Sequence, residues 1–433
     1  MGNLFLPDLT VAQSFARSGN QIRRTLSLGH GTFRSSIAAP KDVQIGTAQA
    51  WTVSYLRGAR IAHPPPTSCL TMVDLFCGAG GLAYGFCEAA ASMGIEIRPR
   101  LAIDSDESAL AIYQRNIGVD APLTRDISGL IDYKVTGSGL EARFGYKPTI
   151  LEPLVADLAH GVDLVVAGPP CQGHSNLNNR TRRHDERNLL YLTAPAFAVA
   201  VGARTVVIEN VPEVLNDRHN VVATARALLV KAGFSISEAV LSSHRFGVAQ
   251  TRRRHFLVGI RNSKIEFNLT DLTSGLEVPG LAVGHVLKDL LGKEGQTFFH
   301  TTAKISDVNK GRIDWLFDED KNDLPDHIRP RCHQNGHTYK SVYGRLIWDK
   351  PAGTITTGFL TPGRGRYIHP KERRTLTPHE GARIQGFPDT FQFVSSYEDV
   401  PFKNMLSKVI GDAVPPLLGR AVGTIALALN RLS

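Results

Sequence analysis

The sequence predicts an α/β protein: a doubly wound, mainly parallel sheet joined to a smaller, irregular domain. Three observations carry that expectation. Short β-branched apolar runs alternate with amphipathic helical stretches between residues 70 and 260, the pattern of strands covered on both faces by crossover helices. A glycine-rich loop, Cys77-Gly78-Ala79-Gly80-Gly81, separates one such run from the helix after it, which lets backbone approach a ligand closely. Beyond residue 261 the alternation stops, and residues 262–350 are polar, loop-rich and dense in His, Arg and Asn.

Length and composition set the bounds. A chain of 433 residues is too long for one small core and implies two or three domains. No run of about 18 apolar residues occurs, so no membrane span is expected, and the amino terminus lacks the pattern of a secretory leader. The five cysteines (Cys69, Cys77, Cys87, Cys171 and Cys332) form no CxxC pair, which fits a reducing, cytoplasmic setting. The net charge of +9 suits a polyanionic partner. Seven basic and two acidic residues place +5 of that charge in the first 60 positions.

Residues 1–68 read as a basic extension and linker. Helical stretches are expected at Leu9–Ser18 and Thr47–Arg60, with Pro64-Pro65-Pro66 as a stiff closure. The region is either an arm on nucleic-acid phosphates or a solvated, partly disordered extension. Residues 69–261 read as the catalytic and cofactor-binding domain. Leu70–Phe76 is a buried strand leading into the glycine loop, and Arg100–Ile103 is a second strand ending in Asp104, about 20 residues on. An acid at that distance suits ribose hydroxyls in a nucleotide-binding unit. Asp126-Ile127 reads as a strand end, and residues 128–160 stay unassigned. Val162–Ala167 is a buried strand that runs into Gly168-Pro169-Pro170-Cys171-Gln172. Cys171 is thereby either a nucleophile at a strand end or a small buried hydrophobe. A helix is expected at Leu189–Val201, a strand at Thr205–Ile208 running into Glu209-Asn210-Val211, a helix at 219–232, and strands at Phe234–Leu241 and His255–Ile260. Residues 262–400 read as the smaller recognition domain, within which Thr377 caps a helix beginning at Pro378. Residues 401–433 read as a closing helix that returns to the catalytic domain. Cys332, His333, His327 and His337 lack the second cysteine and regular spacing of a zinc site, so no metal is expected.

A thiol, an acid and an arginine cluster therefore meet at strand ends of one sheet. They suit attack on a cytosine: a thiolate adds to carbon 6, a carboxyl kept from water supplies a proton at nitrogen 3, and an arginine steadies the ring oxygen. The order of the motifs resembles that of the DNA (cytosine-5-)methyltransferases of bacterial type. Asp74 to Gly81 matches the cofactor loop of that family and Pro170-Cys171-Gln172 its nucleophile motif. Glu209-Asn210-Val211 matches the acid motif and Gln250-Thr251-Arg252-Arg253-Arg254 the Gln-x-Arg-x-Arg motif. Arg374–Glu380 with Arg383–Pro388, and Gly411–Pro416, match two late motifs.

The resemblance implies the S-adenosylmethionine-dependent methyltransferase fold, that cofactor, and double-stranded DNA as the partner of a protein acting as a monomer, in restriction–modification or a related host defence. Phe76, Gly78 and Gly80 would face the methionine end of the cofactor, Asp104 the ribose, Asp126 the adenine, and Leu190 and Val414 its apolar edges. Ala79, Gly81, Ser105, Ile127, Pro170 and Asp412 would complete that site. Cys171, Glu209, Arg252 and Arg254 would form the catalytic set, acting on a base swung out of the duplex. Ser105, Asp412 and His174 depart from the family pattern. Methylation of transfer RNA and a catalytically silent DNA-binding regulator are the alternative functions.

Overall fold

The computed structural model describes residues 9–29, 31–170, 186–261, 266–334, 341–395 and 403–431. Its centre is one seven-stranded sheet built from the apolar runs of the sequence. In chain order, three amino-terminal strands, β1 (Val11–Ser18), β2 (Gln21–Leu28) and β3 (Gly31–Ala38), precede helix α1 (Thr47–Leu56). Then come β4 (Ser68–Leu75), α2 (Gly81–Ser92), β5 (Ile95–Asp104), α3 (Glu107–Asn116) and β6 (Ala121–Thr124). After them follow β7 (Leu164–Ala167), α4 (Thr193–Val201), β8 (Thr205–Asn210), α5 (Val221–Lys231), β9 (Ser235–Ser242) and β10 (Arg253–Ile260). The chain closes with α6 (Pro378–Gln385), α7 (Lys403–Asp412) and α8 (Pro416–Asn430).

The large sheet has the order β9-β10-β8-β7-β4-β5-β6. Strands β8, β7, β4, β5 and β6 run parallel, whereas β10 is antiparallel to both β8 and β9. Met72, Val73, Leu75, Val165 and Val166 are fully buried, as strands covered on both faces require. One cover is the pair α2 and α8. Glycines make their close crossing possible: a Cβ at Gly85 would lie 2.3 Å from the Pro416 carbonyl oxygen, and one at Gly419 2.9 Å from that of Leu82. By length and composition Asn404–Asn430 could cross a bilayer, but 83% of its most apolar window is buried. It is a core element, and the chain turns within it between α7 and α8.

The amino-terminal region corrects the sequence reading. Leu9–Ser18 is not helical: Val11–Ser18 is the first strand of a three-stranded antiparallel sheet. The period is two, with Val11, Gln13 and Phe15 turned inward and Ala12, Ser14 and Ala16 exposed. Nor is this part a solvated tail. Ile22, Leu26, Leu28 and Ile37 are buried, and Phe15 meets Trp51 of α1 edge-on at 5.7 Å. The helix expected at Thr47–Arg60 is α1, ending at Leu56.

Other differences are local. The strand before Asp126 ends at Thr124, and Asp126 instead caps a 3-10 turn, Ile127–Gly129. The helix expected from Leu189 opens as a 3-10 turn, Glu186–Leu192, before α4. Thr377 does cap α6: its hydroxyl accepts from Glu380 N at 3.2 Å, while Glu380 accepts from Thr377 N at 2.8 Å. Between β10 and α6 regular structure is sparse, yet Leu281, Val286, Leu346 and Phe359 share one core with Trp51, α6 and Leu417.

Candidate active site

The carboxyl ends of β4, β5, β7 and β8 open onto a cavity of about 430 Å³, the position where open α/β sheets bind ligands. The backbone leaves β4 under constraint. Phe76 has φ 55°, Gly78 52° and Gly80 87°, conformations that cost a side-chain-bearing residue such as Phe76. Asp104, at the end of β5, holds this loop by accepting from Gly78 N at 2.8 Å and from Asp106 N at 2.8 Å.

Of the residues expected at the cofactor, Phe76, Gly78, Ala79, Gly81, Asp104 and Ser105 line the cavity. So do Asp126, Ile127, Pro170, Leu190, Asp412 and Val414. Gly80 does not. A Cβ there would lie 2.4 Å from Ile117 Cδ1 and 2.8 Å from Tyr113 Cδ2, so its lack of a side chain lets the loop pack on α3. Asp126 accepts from Ser128 N and Oγ at 2.9 and 2.8 Å, bonds that hold its carboxyl below the usual range.

Glu209 and Arg254 stand in the wall of the same cavity, with Arg254 Nε 2.8 Å from Glu209 Oε1. Burial raises the Glu209 carboxyl above its ordinary value, and the neighbouring guanidiniums of Arg254 and Arg252 oppose that rise without cancelling it. Arg252 is elsewhere. Its guanidinium is buried and donates to the carbonyls of Ile355 at 2.9 Å and Asp412 at 3.3 Å, tying β10 to the loop before α8. Cys171 and His174 lie outside the described residues. Pro170, the residue before Cys171, is at the cavity edge, and its loop is held by Asn210 Nδ2 donating to the Pro169 carbonyl at 3.1 Å.

Several residues of this site escaped the sequence reading. Asn210 sits inside a recognised motif, but a buried amide aimed at another loop has no signature of its own. Lys408 lines the cavity and bridges Asp106 Oδ2 at 2.8 Å and Asp412 Oδ2 at 3.9 Å; its spacing of four from Asp412 was the available signal. Burial raises the Asp412 carboxyl, against Lys408, Arg252 and Arg254. Asp74 also lines the cavity and is buried, and burial, followed by Asp104, pushes its carboxyl well above the ordinary value. Gln250 and Gln385 form a buried amide chain. Gln250 donates to Gln385 and accepts from Ile355 N at 2.8 Å, and Gln385 donates to the Ile410 and Ala413 carbonyls.

Cys69 and Cys332 are exposed, whereas Cys77 and Cys87 are half-buried. Burial pushes the Cys87 thiol up to about 12, and burial with Asp74 and Asp104 raises Cys77 well above its ordinary value, so neither is a thiolate at neutral pH. His369, Glu372 and Glu380 could approach a metal together, but Arg374 already donates to both carboxylates.

This is the geometry of an α/β enzyme that binds a small cofactor at strand ends beside a buried carboxylate–guanidinium pair. Residues 70–426 match the family of C-5 cytosine-specific DNA methylases. The chain is 36% identical over 371 residues to a type II methyltransferase, M1.BsuMI of Bacillus subtilis, covering 84% of this chain and 81% of that protein. It is 29% identical over 364 residues to the type II methylase M.HgiDII of Herpetosiphon aurantiacus, covering 81% and 93%. Among solved structures, S. pombe Dnmt2 methyltransferase superposes with a TM-score of 0.52 at 19% identity, covering 84% of this chain and 99% of that one. The chain belongs to the C-5 cytosine-specific DNA methylase family. It is a DNA (cytosine-5-)methyltransferase, in a family whose members depend on S-adenosylmethionine.

Proposed function

We propose that the cavity holds S-adenosylmethionine, and that Glu209 and Arg254 activate a cytosine swung out of double-stranded DNA against its wall. The observation that carries this reading is the buried Glu209–Arg254 pair opening onto the space bounded by the glycine loop and by Asp412–Val414. The residues fit the cofactor. The volume suits a small molecule, a Cβ at Gly78 would meet only open space, Asp104 and Asp126 offer carboxylates, and Phe76, Leu190 and Val414 offer apolar surface. When bound, S-adenosylmethionine supplies an activated methyl group.

The protein's own groups do the rest. The Cys171 thiolate bonds to carbon 6 of the ring while nitrogen 3 accepts the proton held by Glu209, a carboxyl whose raised pKa suits that task. Arg254 faces the ring oxygen and steadies charge there. Once carbon 5 carries the methyl group, that carbon gives its proton to solvent water, the freed electron pair breaks the sulfur–carbon 6 bond and expels the thiolate, and nitrogen 3 returns its proton to Glu209. Arg252 is a positioning residue in this scheme, because its guanidinium is engaged with backbone carbonyls.

We assign residues 262–400 to target recognition and residues 69–261 with 401–433 to catalysis. The type II methyltransferase names of the relatives support a role in restriction–modification, and we infer that the enzyme acts in the cytoplasm as a monomer. Purified protein is incubated with duplex DNA and methyl-labelled cofactor, and 5-methylcytosine is mapped. Cys171→Ser is expected to abolish transfer while still binding the cofactor. Label absent from cytosine, or full activity in Cys171→Ser, overturns the reading.

A further inference from the structure

We propose that the outer face of the amino-terminal sheet is a docking surface for the phosphate backbone of double-stranded DNA. The proposal rests on the DNA-methyltransferase reading and extends the substrate's footprint to a part of the chain that precedes the family match at residue 70. The strand register assembles the face. Ala16, Arg23 and Ser36 form one row across β1, β2 and β3, and Ser14, Thr25 and Arg34 form the next. Arg23 and Arg34 are thus diagonal neighbours, separated by about 7 Å at the backbone. Both are exposed, and small side chains surround them, so a polymer backbone can come close.

Among the described residues the charge on this surface is uncompensated. No Asp or Glu occurs between residues 9 and 41. Arg60 lies two residues before Ala62, which pairs with Ser36 at the sheet edge, whereas Arg17 pairs with buried Ile22 and so belongs to the opposite face at the β1–β2 end. Among the described residues none of Arg17, Arg23, Arg34 and Arg60 forms an ion pair, whereas nearby Arg57 pairs with Asp42 and Asp289. Among the described residues the face carries no exposed large hydrophobic side chain, so it lacks the apolar centre of a protein-docking patch. Exposed cations on a small, polar, acid-free sheet complement a polyanion.

Its location is consistent with the same duplex reaching it. Residues 42–45, just after β3, line a groove with Ala282, Gly284, His285, Lys288, Trp348 and Asp349 of the segment assigned to target recognition. Lys288 Nζ donates to the Asp42 carbonyl at 3.3 Å.

The test is the salt dependence of duplex binding by the full chain with Arg23 and Arg34 both changed to Gln, beside a second variant with both changed to Lys. Removing one arginine that neutralises a phosphate makes the slope of log K against log salt shallower by about 0.9. The Gln variant should lose up to about 1.8 from the slope and bind at least about tenfold more weakly at physiological salt, while the Lys variant keeps the wild-type slope. A Gln variant with wild-type slope and affinity overturns the proposal. So does a Lys variant as weak as the Gln variant, which would make the defect structural. Because the slope is read from binding and not from turnover, it tests the sheet separately from the methylation reading.

Discussion

Replacing Gly81 by alanine sets a methyl group 2.4 Å from the Val414 carbonyl oxygen and 3.1 Å from Phe387 Cζ. Real Cβ atoms essentially never approach within 3.0 Å of such a neighbour, so the two backbones must part by at least 0.6 Å, the difference between 3.0 and 2.4 Å. Phe387 is buried and packed against Phe391 and Phe393, which leaves the Val414 loop to move. Overpacking of this kind costs about 1–3 kcal/mol. Gly81 and Val414 both line the cavity, so the displacement falls on the groups that face the cofactor, and about 1.4 kcal/mol of weaker binding there is tenfold in Kd. Gly81→Ala should therefore melt several degrees lower and bind S-adenosylmethionine roughly tenfold to a hundredfold more weakly, read by calorimetry. Gly85→Ala is the comparison. Its Cβ would lie 2.3 Å from the Pro416 oxygen and 2.6 Å from Arg420 N, in the same helix crossing but away from the cavity. It should lose stability with a much smaller loss of cofactor affinity. A Gly81→Ala protein that melts lower yet binds the cofactor like wild type refutes the placement of that ligand against this crossing.

Further outcomes follow from the same geometry. Glu209 must hold its proton to act, so turnover should fall as pH rises through its raised pKa. Its contribution to stability is likewise full below the ordinary value of 4.5 and lost as pH rises through the folded-state value. Glu209→Gln should lose that pH limb and about 10²–10⁴-fold in rate, read from pH–rate profiles on duplex DNA. Burial pushes the Asp389 carboxyl up, but Arg383 and His379 outweigh it and hold it below the usual range. Its stabilisation is therefore present above about 3.8 and lost as pH falls. Arg383→Met should remove about 3–5 kcal/mol in denaturant titration. Lys408→Met should raise the KM for cofactor by a few fold, because exposed pairs contribute about 0.2–1 kcal/mol. The effect should shrink in an Asp412→Asn background, and an undiminished effect would separate Lys408 from Asp412. Asn210→Ala should cost about 1–3 kcal/mol of stability through the Pro169 carbonyl it leaves unpaired, read by thermal melting.

Much of the sheet was legible because its strands are short β-branched runs bounded by Gly, Pro or Asp, a pattern that depends on local sequence alone. The glycine loop and Asp104 were legible for the same reason. The amino-terminal sheet was not: Val11–Ser18 mixes Ala, Gln, Ser and Arg, and its period of two has meaning only once Trp51 and Gly275 stand against it. Motifs marked the residues that hold loops together as well as most of those that touch ligand space, but they did not give the loop-holding residues their partners. Asn210, Gln250 and Gln385 act across 41, 135 and 28 residues of chain, distances over which spacing carries no signal. Arg252 shows the same. A motif marked it, and only its tertiary partners separate its work from that of Arg254 two residues on.

The crossing of α2 and α8 also bears on how the enzyme is made. The glycine loop leaves the ribosome early, but Lys408, Asp412 and Val414 close the cavity from more than 300 positions after that loop. A nascent chain therefore exposes the apolar surface of α2, including Leu82 and Phe86, until α8 emerges to cover it. Such long-range closure slows folding and leaves a window for aggregation. Lys408, Asp412 and Val414 thus join the cavity wall only after nearly all of the rest of the chain has been made.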